Sequence, residues 1–175
     1  MRKIILYSAV SIDDFIADQN GNIDWLSQGS FLLEGEDYGY GDFYNRIDTT
    51  LMGNKTYQQV SGFDMPFPYP DKKNYVFTSS PARIKDEHVT YISGDISQFC
   101  RAMKDESGKD IWLVGGGKLN SSLLDAGLID LLILTKVPVP LGKGIPLFHQ
   151  ADWKERFSEL STRVYPKGVV QFTMQ

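Results

Sequence analysis

The run IWLVGGGKLNSSLL, from Ile111 to Leu124, joins an apolar segment to an amphipathic one through three consecutive glycines. Ile111 to Val114 has the branched and aromatic content of a buried strand. Lys118 to Ala126 reads as a helix that stops at Gly127, a residue suited to a C-terminal cap. Glycines at such a junction let the backbone approach a ligand closely and take angles closed to other residues. The helix they open presents unpaired N–H groups and the positive end of its dipole. Val114, Gly115, Gly116, Gly117, Lys118 and Leu119 are therefore candidates for an anion seat, though a tight turn without any ligand uses the same glycines. Spacing excludes two familiar phosphate motifs. A P-loop needs glycine at the position of Trp112 and Ser or Thr at that of Leu119. The dinucleotide fingerprint needs glycine where Asn120 stands.

Outward from this junction, strands and short helices alternate. Lys3 to Val10, Thr49 to Gly53, Asn74 to Thr78, Val89 to Ile92 and Ile129 to Val137 read as strands. Helices are expected from Asp42 to Ile47, from a cap at Asn54 through Ser61, and over Asp95 to Ser107, where apolar residues fall at helical spacing. Asn20-Gly21 marks a turn, and Phe63 to Asp71, with three prolines, reads as an irregular loop. Arg163 to Tyr165 and Val169 to Thr173 form a closing hairpin about Pro166-Lys167-Gly168. The pattern argues a three-layer α/β fold in one domain over 1–175, without linker or repeat. Its central sheet is expected to be mostly parallel, of about eight strands, with an antiparallel C-terminal hairpin.

Two further strand ends carry ligand-type residues. In LMGNKTYQQV these are Gly53, Lys55 and Thr56; in FTSSPAR they are Thr78, Ser79 and Ser80 beside Arg83. Each alone is an ordinary helix cap or turn. Three together along one carboxyl edge suit a long ligand with several phosphates.

Composition narrows the classes. The chain has 175 residues, 42% of them hydrophobic, with three Trp, nine Tyr and ten Phe, enough for a real core. Its net charge of -4 argues against a nucleic-acid partner. No apolar run approaches the roughly 20 residues of a membrane-spanning helix. The single Cys100 forbids an internal disulfide, and two distant histidines make no metal site. A cytoplasmic protein is expected.

TLMGNKTYQQV, KKNYVFTSSP and IWLVGGGKLNSSLLDAGLIDLLILTKVPVPLGKGIPLF resemble, in order, the cofactor-binding blocks of the dihydrofolate reductase superfamily. SAVSIDDFIADQNGNIDWL is similar to its first strand and nicotinamide-side loop. SIDDFIA followed by Trp25, and VPVPLGKGIPLF, resemble one branch, the reductase (RibD C-terminal) domain of riboflavin biosynthesis. The resemblance implies an NADPH-dependent reductase, with NADH possible, acting on a small pyrimidine- or pterin-like heterocycle. The branch's own reaction is that of 5-amino-6-(5-phosphoribosylamino)uracil reductase. Ala9 and Ile16 would border the nicotinamide. Gly53, Lys55 and Thr56 would hold central phosphates and the adenosine side, and Thr78 and Ser79 the adenosine ribose. Val114, Gly115, Gly116, Gly117, Lys118 and Leu119 would wrap the pyrophosphate, with a cis peptide at Gly115-Gly116. Trp25 would flank the active-site mouth. A homodimer through exposed aromatics and Pro138 to Leu141 is implied as well.

Departures limit the carry-over. Asn54 stands where dihydrofolate reductases carry the arginine that pairs with the 2'-phosphate, leaving Lys55, Ser79 or Arg83 to replace it. Lys72 occupies the place of the folate-binding arginine and lacks its two-pronged geometry. For the catalytic carboxylate, Asp37 is in register, Asp42 lies on the expected helix, and Asp13 in the nicotinamide-side loop is a third candidate, with loop fixation as its other reading. A true dihydrofolate reductase and a nucleotide-binding module without turnover are the rival functions.

Overall fold

The N-terminal apolar run forms a strand, Ile4–Val10 (β1), whose first half, Ile4, Ile5 and Leu6, is wholly buried. Burial on both faces is what a parallel sheet covered by helices requires of its central strand. The computed structural model describes residues 1–27, 29–79 and 86–175. In it, β1 is followed by Phe15–Ala17 (β2), the helical turns Asp24–Ser27 (α1) and Tyr40–Arg46 (α2), and the strand Ile47–Gly53 (β3). Then come Asn54–Ser61 (α3), Lys73–Phe77 (β4), Thr90–Ile92 (β5) and Ile96–Asp105 (α4). The second half comprises Asp110–Gly115 (β6), Gly117–Asp125 (α5), Leu131–Lys136 (β7), Ile145–Pro146 (β8), Glu159–Val164 (β9) and Val170–Met174 (β10).

Eight strands form one sheet in the order β5-β4-β3-β6-β1-β7-β10-β9. All pairs from β5 to β7 are parallel, whereas β10 runs antiparallel to β7 and β9 antiparallel to β10. β2 and β8 make a separate antiparallel pair. Ile4 and Leu6 pack with Cys100 and Met103 of α4 and Leu119, Leu123 and Leu124 of α5. Ile5, on the opposite face, packs with Phe43 of α2 and Tyr57 and Val60 of α3. The fold is thus the three-layer α/β architecture expected from the alternation. Among the described residues no helix is long and apolar enough to cross a membrane.

The helix ends follow local chemistry. Asp95 caps α4, accepting from the Gln98 N–H at 3.0 Å. α5 ends in a Schellman motif: Gly127 sits at φ +63°, its N–H donates to the Leu124 carbonyl, and Leu128 N–H donates to Leu123. Asn54 differs from expectation: it is the first residue of α3, Gly53 occupies the cap, and no side chain caps the helix. β7 begins two residues later than the apolar pattern predicts, just after Asp130, which fastens the start of the strand to β1 and α4. Its carboxylate accepts from Ile4 N–H at 2.8 Å and pairs with buried Lys104 at 2.6 Å. The closing hairpin is longer than expected; its turn is closed by Tyr165 N–H donating to the Val169 carbonyl at 2.8 Å. β9, the outer edge of the sheet, is exposed along its whole length.

Candidate active site

β3 and β6 lie side by side and both end in glycine, at the carboxyl edge where α3 and α5 begin. The Gly115-Gly116 peptide is cis, and Gly115 sits at φ +107°. A Cβ on Gly115 would stand 2.9 Å from Asn120 Oδ1. That side chain cannot give way freely, because its Nδ2 donates to the Leu147 carbonyl at 3.0 Å. Gly116 N–H donates to Thr56 Oγ1 at 3.0 Å, which fastens the junction to the first turn of α3. A Cβ on Gly53 would face the Gly115 carbonyl at 3.7 Å. Gly117 has a different reason: its Cβ would meet the Pro146 carbonyl oxygen at 2.4 Å, so β8 requires glycine there.

Two helix N-termini therefore converge on a strip of backbone free of side chains, with exposed Lys55 and Lys118 in their first turns. Backbone N–H groups, the Thr56 hydroxyl and two cations are the donor set a pyrophosphate needs. The residues fit a dinucleotide.

Beside this strip, on the far side of β1, opens a cavity of about 210 Å³. Tyr7 and Ala9 of β1 and Thr135 of β7 line one side, with Val137 just beyond the strand. Leu26, Phe31, Leu32 and the turn Asp37–Tyr40 line the other. Asp37 is held by the turn it starts: Oδ1 accepts from Gly39 N–H at 2.8 Å and Oδ2 from Gly41 N–H at 2.9 Å. Those amides, Gly41 first, hold its carboxyl below the usual carboxylate range, with Arg163 adding in the same sense. Tyr38 adopts φ +54° and Gly39 φ +80°. The Tyr38 carbonyl accepts from Tyr7 OH at 3.1 Å and from Gln171 Nε2 at 2.8 Å, and Gln171 also donates to Thr135 Oγ1 at 2.9 Å. Burial, aided by the charge of Asp37, pushes the Tyr7 phenol up to about 12, so it stays a neutral donor.

Of the three candidate carboxylates, only Asp37 lines the cavity. Asp42 is exposed in the first turn of α2. Asp13 ties two loops together: it accepts from Ser11 Oγ at 2.6 Å, Leu141 N–H at 3.1 Å and Gly142 N–H at 2.7 Å. Desolvation opposes its ionisation, but those bonds outweigh it and hold its carboxyl low. Lys72 is committed to its neighbours, with Nζ 2.9 Å from Asp71 and 3.9 Å above the Tyr44 ring. Tyr44 OH donates to the same Asp71. Trp25 packs with Phe31, Val137, Tyr165 and Val169 behind the cavity, while its neighbour Leu26 reaches the lining.

Ile16 is half-buried on β2 and packs against the main core. Val114 is half-buried against the opposite cluster, and Leu119 is buried in the core of α5, so both offer a ligand only their backbone. Thr78 follows β4, its N–H donating to the Ile92 carbonyl at 3.0 Å, and exposed Ser79 comes next. Ser80 and Arg83 lie outside the described residues. Tyr7, Tyr38, Tyr40, Thr135 and Gln171 were not singled out by sequence reasoning.

A parallel sheet with glycine-lined helix starts at its carboxyl edge and a cavity beside its first strand defines an α/β fold of the dihydrofolate reductase superfamily. Residues 67–171 match the model of the RibD C-terminal domain, and the chain belongs to that family. It is 43% identical over 169 residues to the Bacillus subtilis protein YwjB, covering 96% of this chain and 95% of that one. A Shewanella sp. PV-4 structure ascribed to riboflavin biosynthesis superposes with a TM-score of 0.85 at 25% identity, covering 99% and 98% of the two chains. Enterococcus faecalis dihydrofolate reductase, complexed with NADP(H) and RAB-propyl, superposes with a TM-score of 0.66 at 18% identity, covering 99% of this chain and 95% of that one. The last likeness is one of fold.

Proposed function

We propose that the protein is a nicotinamide-dependent reductase of a pyrimidine- or pterin-like heterocycle, using NADPH or NADH, of the kind found in riboflavin biosynthesis. The observation that carries the reading is adjacency: β6 brings the glycine-lined seat to one side of β1, and the far side of β1 opens on the cavity. Gly53, Gly115, Gly116 and Thr56 hold the phosphates, Lys55 and Lys118 balance their charge, and the backbone of Val114, Gly117 and Leu119 completes the cradle. Thr78 and Ser79 receive the adenosine ribose, and Ala9 and Ile16 border the nicotinamide. With Asn54 at the position of an arginine, Lys55 and Ser79 are left to select between NADPH and NADH.

A reduced nicotinamide held here would supply a hydride to a C=N or C=O carbon of the heterocycle, whose heteroatom would take a proton from water. The protein's share is orientation and the placement of charge around the ring. Tyr7, Phe31 and Tyr40 flank a flat ring. Asp37, ionised and fixed by two amides, accepts from ring amino or imino N–H groups. Tyr7 holds the Tyr38 carbonyl and with it the turn that carries Asp37. Asp13 keeps the nicotinamide-side loop closed onto residues 141–142, and Asp42 is exposed on α2 outside the cavity lining. Lys72, already paired, has no free charge for a folate carboxylate, which disfavours dihydrofolate as substrate. Trp25 backs the wall that Leu26 presents.

Trp fluorescence titration with NADPH and NADH tests the reading, repeated on Gly116→Val with a thermal melt as folding control. A Cβ on Gly116 already lies 3.0 Å from Thr56 Oγ1, so valine blocks both the hydroxyl and the seat. A loss of about 3 kcal/mol is a factor of over 100 in affinity. Binding by neither nucleotide sinks the reading; tight binding without oxidation in the presence of any heterocycle favours a nucleotide-binding module instead. We also propose a cytoplasmic homodimer. Half-exposed Val139 and Leu141, with Leu160 and Val164 at 58% and 73% exposure on β9, support an interface. Light scattering on the eluted peak measures its mass.

A further inference from the structure

We propose that the substrate cavity takes an unphosphorylated heterocycle, neutral or cationic, and turns away its phosphate ester. The inference rests on the reductase reading above, goes beyond it by fixing the charge class of the substrate, and sets this chain apart from the phosphoribosyl substrate of the riboflavin branch.

Between Lys3 and Arg46 the sequence has no Lys, Arg or His, and it carries eight carboxylates. The cavity wall comes from this stretch: five of the eight, Asp24, Glu34, Glu36, Asp37 and Asp42, fall within residues 24–42. Asp37 lies in the lining itself, ionised at neutral pH because Gly41 and Gly39 donate to it. Among the described residues the lining holds no cation. Its remaining polar groups are the phenols of Tyr7, Tyr38 and Tyr40 and the hydroxyl of Thr135.

Two cations stand about the wall, each with a neighbour of its own. Lys167 Nζ donates to the Leu32 carbonyl at 2.7 Å, and the Arg163 guanidinium lies 4.8 Å above the Tyr165 ring while it offsets Asp37. A phosphate entering here meets an ionised carboxylate inside a surface of like sign. A neutral or cationic ring meets aromatic faces and a carboxylate, a combination that attracts positive charge. Acidic walls also lower the local concentration of anions before contact.

The test uses a matched fluorescent pair, 6-hydroxymethylpterin and its monophosphate ester, titrated into the NADPH-saturated protein. The nucleotide's own affinity is measured first, so a failure of the reductase reading is seen separately. The ester is expected to bind at least tenfold more weakly, and the ratio should shrink as salt rises from about 0.05 to 0.5 M, where charges beyond a few ångströms are screened. Asp37→Asn should bring the ratio toward one. Because Asp37 also closes the turn, Glu34→Gln/Asp42→Asn, which neutralises two exposed charges of the 24–42 stretch outside the lining, is run beside it and should narrow the ratio without shifting the melt. Equal or tighter binding of the ester overturns the proposal. Loss of that tighter binding in Arg163→Gln would assign the rim arginine to phosphate capture instead. Binding of neither pterin, with NADPH bound, overturns it as well.

Discussion

Gly117→Ala is the sharpest probe of how the seat is built. A Cβ at residue 117 would stand 2.4 Å from the Pro146 carbonyl oxygen, closer than real Cβ contacts come, and 3.5 Å from the Ile145 side chain. The atom in the way is backbone, so relief requires β8 to retreat by roughly half an ångström or more, well beyond what close packing tolerates. β8 is tethered at the residue that follows it: Leu147 N–H donates to the Asp14 carbonyl at 3.0 Å, and Asn120 holds the Leu147 carbonyl. Overpacking of this kind costs about 2 kcal/mol. For a chain of this length that lowers Tm by about 4–8 °C. Because Asn120 also stands against Gly115, the shift passes to the cis junction and weakens nucleotide binding. Differential scanning calorimetry with NADPH titration reads both. Gly127→Ala is the control: Gly127 sits at φ +63° with no atom within 4 Å of a new Cβ, so it costs about 1 kcal/mol of backbone strain and leaves nucleotide affinity unchanged. A Gly117→Ala protein with unaltered Tm and unaltered affinity would refute the packing argument.

Gln171→Leu removes one hydrogen bond to the Asp37–Tyr40 turn and one to Thr135; about 1 kcal/mol of stability and weaker pterin binding are expected, with NADPH affinity retained in the same titrations. Asp130→Ala strands the buried Lys104 ammonium and the Ile4 N–H. With Asp130 one-third exposed, about 1–3 kcal/mol is expected, less than for a fully buried pair, measured as a lowered urea midpoint. Acid lability follows from Asp13, Asp37 and Asp48, whose folded carboxyls are held low. A depressed folded pKa stabilises the protein above the unfolded value near 4 and loses that contribution as pH falls through the folded value. Tm should therefore hold between about pH 5 and 7 and decline below about 4; a Tm that rises between pH 5 and 3 contradicts the assignment.

The sheet was legible because its strands are short apolar runs punctuated by Gly, Pro and Asn, and the IWLVGGGKLN junction declares a close backbone approach. β2 and β8 were not, since three and two residues leave no periodicity to read. Their pairing depends instead on Gly144, whose Cβ would strike the Ala17 carbonyl at 2.3 Å, a constraint spread over two distant segments. The cofactor edge was readable as local motifs. The cavity was not, because it is assembled across the sheet: Tyr7, Thr135 and Gln171 come from β1, β7 and β10, and each looks like an ordinary strand residue. The available signal was the end of β1, where Tyr7, Ser8 and Ala9 depart from the uniformly apolar Ile4–Leu6 just where a strand reaches its carboxyl edge. Asp37 and Asp42 differed only in whether the chain turned before or after the helix began. Consecutive left-handed residues at Tyr38 and Gly39 decided that, bringing Asp37 inward.

The place of β1 in the strand order has a consequence during synthesis. Ile4 pairs beside Ile111 and Ile5 beside Leu131, so β1 lies between two parallel strands made long after it in the chain. Its partners emerge more than a hundred residues later, on the order of 10 s at ordinary elongation rates. Through that interval IILYSAV is an apolar strand with both edges open, the form most prone to pair with a neighbouring nascent chain. Slowing translation ahead of residue 110 should therefore lower the soluble yield of this protein more than slowing it after residue 136.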